Sequence, residues 1–279
     1  MTSPGYPVAA DAFGQSRLIE RQLLSEIVNP FTGPVVGELY ARARPRLHHL
    51  AIERVAQLLE IRSPLSRAVD VGCGTGMSSI ALAAIAQRVL ALDVSLDMLR
   101  HAEPHPAVRY AIGAAEALPI ASDSVDLVSV SAAMHWFNQS AFLAESHRVL
   151  HSGGSLVIYD VAPTGHIQEL GAFPPEFVRQ LLERYPNVPS HPRFQFAEDR
   201  AQGFRLVAQE SYEEVVRMSV EEYVAWFLTA SNVVAAMAAG RETLQEAEAR
   251  NRREAESLFA GKPQLGFIFG GPIWCLARV

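Results

Sequence analysis

The chain has 279 residues, 49% of them hydrophobic and 19% charged, with a formal net charge of -6. That length and balance suit a folded protein with a full core, and exclude a disordered or fibrous chain. The acidic balance, with no run of basic residues to track phosphates, argues against nucleic acid as a partner.

The opening stretch "MTSPGYPVAADAFGQSR" lacks a basic segment followed by an apolar one, so it does not read as a secretory signal, and the cytoplasm is expected. Apolar residues at helical spacing predict a leading helix over Ser16–Val28, broken by the turn "NPFTGP". A stronger amphipathic helix follows over His48–Ile61 and ends at Ser63-Pro64. "RAVDVG" predicts a first strand, then come three glycines two apart, then "MSSIALAAIAQ" as a helix. Strands "RVLALDVS", "AVRYAIGA", "SVDLVSVSA" and "GSLVIYDV" succeed it, with helices "LDMLRHAE" after the first of these and "NQSAFLAESHRVL" before the last. Strands alternating with helices predict a doubly wound, mostly parallel α/β sheet covered on both faces.

The pattern changes after Asp160. Val161–Gly203 is rich in proline and aromatic residues around one helical stretch, Glu176–Arg184. Such a segment reads either as a lid or as a surface excursion. "FRLVAQESYEEVVRMS" reads as a strand or strand pair, and "SVEEYVAWFL" as a helix whose Ser219 and Glu222 have capping-box spacing. "AAGRETLQEAEARNRREAESLFA" predicts a long charged helix, and "GFIFGGPIWCLARV" a strand, a turn and a strand. The longest apolar stretches, such as "VVAAMAAG", fall short of the roughly 18 residues of a membrane span. Cys73 and Cys275 lie far apart without metal-ligand spacing, so two free thiols and no metal site are expected.

A glycine-rich turn between the first strand and first helix of such a sheet lies where ligands bind. Gly72, Gly74 and Gly76 follow G-x-G-x-G, not the G-x-G-x-x-G of nicotinamide sites, and no lysine follows as in a phosphate loop. Asp70, just before them, would repel a pyrophosphate and attract a cation. Asp93 ends the second strand about twenty residues on, where an acid can accept hydrogen bonds from ribose hydroxyls. A nucleoside carrying positive charge fits both acids, and S-adenosylmethionine is such a ligand.

The segments "VDVGCGTG", "LDVSLDML", "GAAEALP", "SVDLVSVSAAMHWF" and "HRVLHSGGSLVI", in this order, resemble the motifs of class I S-adenosylmethionine-dependent methyltransferases. The His-Trp-Phe segment resembles the type 11 group, which includes trans-aconitate and ubiquinone-pathway methyltransferases. The resemblance is close over Tyr40–Asp160 and loose elsewhere. It implies S-adenosylmethionine as cofactor, with Asp70, Gly72 and Gly74 at the methionine end and Asp93 on the ribose. It further implies Val94 and Met98 beside adenine, and Ala115 and Glu116 at its edge. Ala114 stands where an aspartate is common, which shifts adenine recognition to the Ala115 N–H. Cys73, Gly76 and Ala132 complete the expected cofactor set, Cys73 as a small packing residue.

"YARARP" resembles a lead-in that folds over the cofactor, so Tyr40 and Arg44 are expected at its carboxylate, the alternative being a solvated helix end. His135 should face the transferring methyl group, as general base or as part of the cleft wall. His166 and His191 are more distant candidate bases, and Arg44 or Arg193 would pair with a carboxylate acceptor. Four segments are expected: a helical lead-in and cofactor cover (1–62), the cofactor-binding core (63–160), a cap insertion (161–203), and a C-terminal part of the core with helical additions (204–279). The expected activity is O-methylation of a small-molecule hydroxyl or carboxylate. Phe173, Phe177, Tyr185, Phe194, Phe196, Trp226 and Phe227 are candidates to line its pocket. A nicotinamide oxidoreductase, a non-catalytic cofactor-binding scaffold and a cyclase on the same fold are the alternatives.

Overall fold

The structure is a computed structural model and describes residues 30–31, 34–198 and 201–279. The helix expected over Ser16–Val28 lies outside the described residues. Two helices, α1 (Pro34–Ala43) and α2 (His48–Leu58), lead into β1 (Ala68–Val71), α3 (Met77–Leu82), β2 (Val89–Asp93), α4 (Leu96–Leu99), β3 (Val108–Ile112) and β4 (Val125–Ser131). A single 3₁₀ turn (Met134–Trp136) and α5 (Gln139–Val149) connect to β5 (Leu150–Tyr159). Then come β6 (Ala162–Ile167), β7 (Gly171–Ala172), α6 (Pro175–Arg184), β8 (Phe204–Met218), α7 (Val220–Phe227), α8 (Ser231–Ala238), α9 (Leu244–Phe259) and β9 (Leu265–Arg278).

The sheet runs β3-β2-β1-β4-β5-β9-β6-β7, with β8 also paired to β9. The first five strands in that order are parallel, while β9 pairs antiparallel with β5, β6 and β8. This is the doubly wound, mostly parallel architecture the alternating pattern predicts.

Alternation along β1 decides what each residue meets. Val69 and Val71 face a core with Val128, Val130, Leu156 and Phe142. Ala68 faces the other way, into a core with Ile52 and Val55 of α2 and Leu82 of α3. Asp70 shares the Ala68 face, so a strand-borne acid meets the first turn of α3.

Three local expectations change. The helix predicted to run to Gln87 stops at Leu82, because Ala86 forms a parallel bridge with Leu65 and Gln87 N–H donates to Leu65. "LDMLRHAE" keeps only the four residues of α4, capped by Ser95. "GFIFGGPIWCLARV" is one strand, not two around a turn. β9 changes partner on one edge at the Gly-Gly-Pro segment, from β6 to β5. Gly271 permits this, since a Cβ there would lie 2.6 Å from the Cβ of Asp160, between β5 and β6; on the other edge Gly270 lets β8 approach, a Cβ there lying 1.9 Å from the Tyr212 carbonyl oxygen.

The N-terminal half of β9, with β8, β6, α7 and α9, builds a third core. Ser219 and Thr243 cap α7 and α9 with full capping boxes, the first as its spacing predicts. Phe173, Tyr185, Trp226 and Phe227 belong to this third core rather than to a ligand pocket, and Phe177 stacks on Phe173. No helix among the described residues is long and apolar enough to cross a membrane.

Candidate active site

A cleft opens at the carboxyl ends of β1, β2 and β4. It has two lobes, of about 250 Å³ and about 200 Å³. Phe31, Tyr40, Gly72, Gly74, Ser131, Ala132 and Trp136 line both, so they mark the junction. Asp93, Val94, Met98, Gly113, Ala115 and Glu116 line the first lobe. Arg44, His48, Cys73, Thr75, Ser78, His135, Pro163, Ser231 and Phe269 are among those lining the second.

The glycine loop is built to bring bare backbone to the junction. Gly72 has φ +72°, and a Cβ on it would stand 2.7 Å from Ala133 Cβ. Gly76, with φ +84°, starts α3 and lines neither lobe; a Cβ there would meet the Tyr110 hydroxyl at 2.2 Å. The loop is fastened by Asp93, whose Oδ2 accepts the Gly74 N–H at 2.8 Å while Oδ1 accepts the Ser95 N–H at 2.8 Å. With the Val94 N–H also turned to this carboxylate, one lone pair remains for a ligand hydroxyl. Burial raises the Asp93 carboxyl, opposed by the N–H groups of Ser95, Gly74 and Val94.

Asp70 sits one layer behind. It is 1% exposed and lines neither lobe. Its Oδ2 accepts the hydroxyls of Ser78 and Ser79, both at 2.6 Å, and Ser78 in turn lines the second lobe. Burial raises its carboxyl to about 6, against the lowering effect of the two serines. Among the described residues its Oδ1 has no hydrogen-bond partner, nor does the buried Thr75 hydroxyl beside the loop. Burial also raises the Cys73 thiol well above its ordinary value, which makes it an inert packing group.

Arg44 is anchored from the opposite side of the chain. Its Nε donates to Thr229 Oγ1 at 2.8 Å and its Nη2 to the Thr229 carbonyl at 2.7 Å. The guanidinium lies 4.6 Å from the Tyr40 ring centre. Glu116 Oε1 accepts the Asn138 N–H at 2.8 Å, tying the first lobe to the start of α5.

His135 lies on the 3₁₀ turn after β4, and its carbonyl accepts the His191 N–H at 2.8 Å. Its ring packs 4.8 Å from Trp136. Burial lowers its imidazole; Asp160 raises it and Arg193 lowers it further. It also lines an adjacent cavity of about 390 Å³ with Phe194, Trp274 and the Asp160–Arg193 ion pair. His166, on β6, and the His191 side chain line neither lobe. Phe196 packs against the first core.

His48 is the residue that sequence reading passed over, because its pattern is that of an ordinary amphipathic helix. It opens α2 and lines the second lobe. Its Nδ1 lies 3.1 Å from the Tyr159 hydroxyl and 3.2 Å from the Ser131 hydroxyl. Among the described residues no group of three or more His, Cys, Asp or Glu side chains is placed to hold a metal ion.

This sheet order, the glycine loop after β1 and the acid ending β2 define a class I S-adenosylmethionine-dependent methyltransferase fold. Residues 69–158, the segment the motifs single out, match the methyltransferase domain family of type 11. A candidate methyltransferase of Dictyostelium discoideum is 39% identical over 92 residues, 33% of this chain and 35% of that protein. A malonyl-[acyl-carrier protein] O-methyltransferase of Hamiltonella defensa is 34% identical over 118 residues, 41% of this chain and 45% of that one. The chain thus matches less than half the length of these curated relatives. A candidate type II methyltransferase from Anaeromyxobacter dehalogenans shares the fold over 81% of this chain and 95% of its own, at TM-score 0.57 and 23% identity.

Proposed function

We propose that the protein transfers a methyl group from S-adenosylmethionine to an oxygen atom of a small molecule. The observation that carries this reading is the separation of charge between the two lobes. Among the described residues, Asp93 and Glu116 are the acidic side chains of the first, while the second is lined by Arg44, His48 and His135 and by no acid. A cationic amine acceptor would find no counter-charge there, whereas an oxygen acceptor finds hydrogen-bond donors. The O-methyltransferase named among the relatives supports the same choice.

The residues present fit the cofactor. Asp93 faces the first lobe with a lone pair free for a ribose hydroxyl, and Val94 and Met98 supply apolar walls for adenine. The orphaned Thr75 hydroxyl and the remaining Arg44 donors suit an amino-acid carboxylate in the second lobe. Behind the loop, the unpartnered Asp70 Oδ1 favours the positive end of such a ligand. When bound, S-adenosylmethionine supplies an electrophilic methyl group that passes to the acceptor oxygen by in-line displacement.

The chain's own task is chiefly alignment. Holding the two reactants in near-attack geometry can contribute on the order of 7 to 11 kcal/mol. Tyr40, Trp136 and Phe31 enclose the junction where the sulfur would lie and keep water out. His135, kept neutral by its lowered imidazole, is the group placed to take a proton when the acceptor is a hydroxyl. A carboxylate acceptor needs no base.

A screen of phenols, alcohols, carboxylic acids and amines with methyl-labelled donor tests the reading. Label transferred to oxygen supports it. Transfer to nitrogen alone, or binding of S-adenosylhomocysteine with no transfer to any acceptor, overturns it.

A further inference from the structure

We propose that His48 contacts the methyl acceptor, donating a hydrogen bond from Nε2 to the non-attacking oxygen of a carboxylate. The inference rests on the methyl-transfer reading above and narrows its acceptor class.

The geometry begins with three polar groups packed at one corner of the second lobe. His48 Nδ1 is within hydrogen-bond distance of both the Tyr159 and the Ser131 hydroxyls. Tyr159 is 1% exposed, so water does not satisfy its hydroxyl, and His48 Nδ1 is the hydrogen-bond partner of that hydroxyl among the described residues. The placement of protons follows from counting donors and acceptors. If Nδ1 is bare, the Tyr159 hydroxyl donates to it and the buried proton has an acceptor. If Nδ1 carries a proton, the Tyr159 hydroxyl must accept and its own proton is left buried without an acceptor, which is disfavoured. The imidazole is therefore bare at Nδ1 and protonated at Nε2.

Nε2 has no hydrogen-bond partner among the described residues, and His48 lines the second lobe. Burial, with the neighbouring His49 and Arg44, pulls the imidazole down to about 4, so the ring stays neutral and keeps one N–H to offer. The site thus presents a fixed donor rather than a base.

A fixed donor selects among oxygen acceptors. A hydrogen bond donated to the attacking oxygen draws electron density from it and lowers its nucleophilicity. A carboxylate can accept that bond on one oxygen and attack with the other, whereas a simple alcohol has no second oxygen. In the step, the attacking carboxylate oxygen forms the O–CH₃ bond as the S–CH₃ bond breaks. The electron pair of that bond stays on sulfur, an ester forms, and no proton moves.

Two substitutions separate this role from mere packing. His48→Asn places an amide near the Nδ1 position, so it retains the bond to Tyr159 and Ser131 but has nothing at Nε2. His48→Gln reaches the Nε2 position with an N–H. The expected result is S-adenosylhomocysteine affinity near wild type for both, and a melting temperature near wild type for His48→Asn but lower for His48→Gln, which takes the acceptor from the buried Tyr159 hydroxyl; kcat/KM for carboxylic acids is reduced about 10- to 100-fold in His48→Asn, the worth of a hydrogen bond to a charged oxygen. His48→Gln should recover most of that loss, and wild type should prefer carboxylic acids to alcohols. The proposal is overturned if His48→Asn esterifies carboxylic acids at the wild-type rate, or if wild type methylates only hydroxyls. It is overturned independently of activity if ¹⁵N spectra show His48 protonated at Nδ1. Wild type that binds S-adenosylhomocysteine but transfers no methyl to anything would instead sink the methyl-transfer reading, and this inference with it.

Discussion

Asp70 links the glycine loop to pH in a way that a single substitution exposes. Its carboxyl is buried behind α3 and held up at about 6, chiefly by that burial, against the ordinary 3.8. An acid whose value is raised on folding holds its proton more tightly in the native chain than in the unfolded one. Stability from this group therefore grows as pH falls from about 6 towards 4, and is lost as pH rises through the same window. The span is worth roughly 3 kcal/mol at about 1.36 kcal/mol per pH unit. For a chain of this size that is about 6 to 12 °C in melting temperature. Asp70→Asn keeps an oxygen for the hydroxyls of Ser78 and Ser79 but cannot ionise. Any penalty for its buried amide is the same at every pH, so the change in the gap between the two proteins is the informative quantity. Differential scanning fluorimetry from pH 4.5 to 7.5 covers the upper part of that window and should show the variant gaining on wild type by about 2 kcal/mol, roughly 4 to 8 °C, as pH rises. Other carboxyls, including the lowered Asp126, Glu145 and Glu169, act in both proteins and cancel. Parallel curves across the range would refute the reasoning, because Asp70 would then titrate like a solvated acid.

Saturating S-adenosylhomocysteine should raise the melting temperature, since a ligand at about 100 times its dissociation constant adds roughly 2.7 kcal/mol; no shift in folded, ligand-free protein counts against the cleft as its site. Asp93→Asn removes the charge that faces the first lobe, and calorimetry should find S-adenosylhomocysteine bound about 1.5 to 3 kcal/mol more weakly. An unchanged affinity would leave Asp93 only its fastening of Gly74 and Ser95. Gly76→Ala combines left-handed strain of about 1 to 2 kcal/mol with a Cβ driven against the Tyr110 hydroxyl, so urea unfolding should show a loss of a few kcal/mol. For any hydroxyl acceptor, the lowered imidazole of His135 predicts a kcat that reaches its plateau below or near neutral pH; a rate still climbing well above pH 7 excludes His135 as its base.

The two lobes of the cleft were unequally legible in the amino-acid order, and the reason is where their residues come from. The first lobe is drawn from short contiguous motifs at the ends of β1, β2 and β4, so strand periodicity and glycine spacing are enough to bring Gly72, Gly74, Asp93, Val94, Met98 and Ala132 to one edge. The sheet was readable for the same reason, since each parallel strand is a short apolar run ended by a turn. β9 misled because Gly-Gly-Pro ordinarily marks a turn, whereas here Gly270 serves the close approach of the Tyr212 carbonyl. Asp70 misled more subtly. Proximity to the glycines suggested that it faces the ligand, but alternation along β1 turns it towards Ser78 and Ser79. The second lobe collects His48 from the start of α2, Pro163 from β6, Ser231 from α8 and Phe269 from β9. Each of these sits in an element whose pattern is explained by its own packing, so nothing local distinguishes it. Only the third core, which folds the C-terminal helices back over α1 and lets Thr229 hold Arg44, assembles that lobe. It follows that substitutions within the β1 and β2 motifs should act on cofactor affinity. Substitutions in the C-terminal additions should act on which acceptor is accepted.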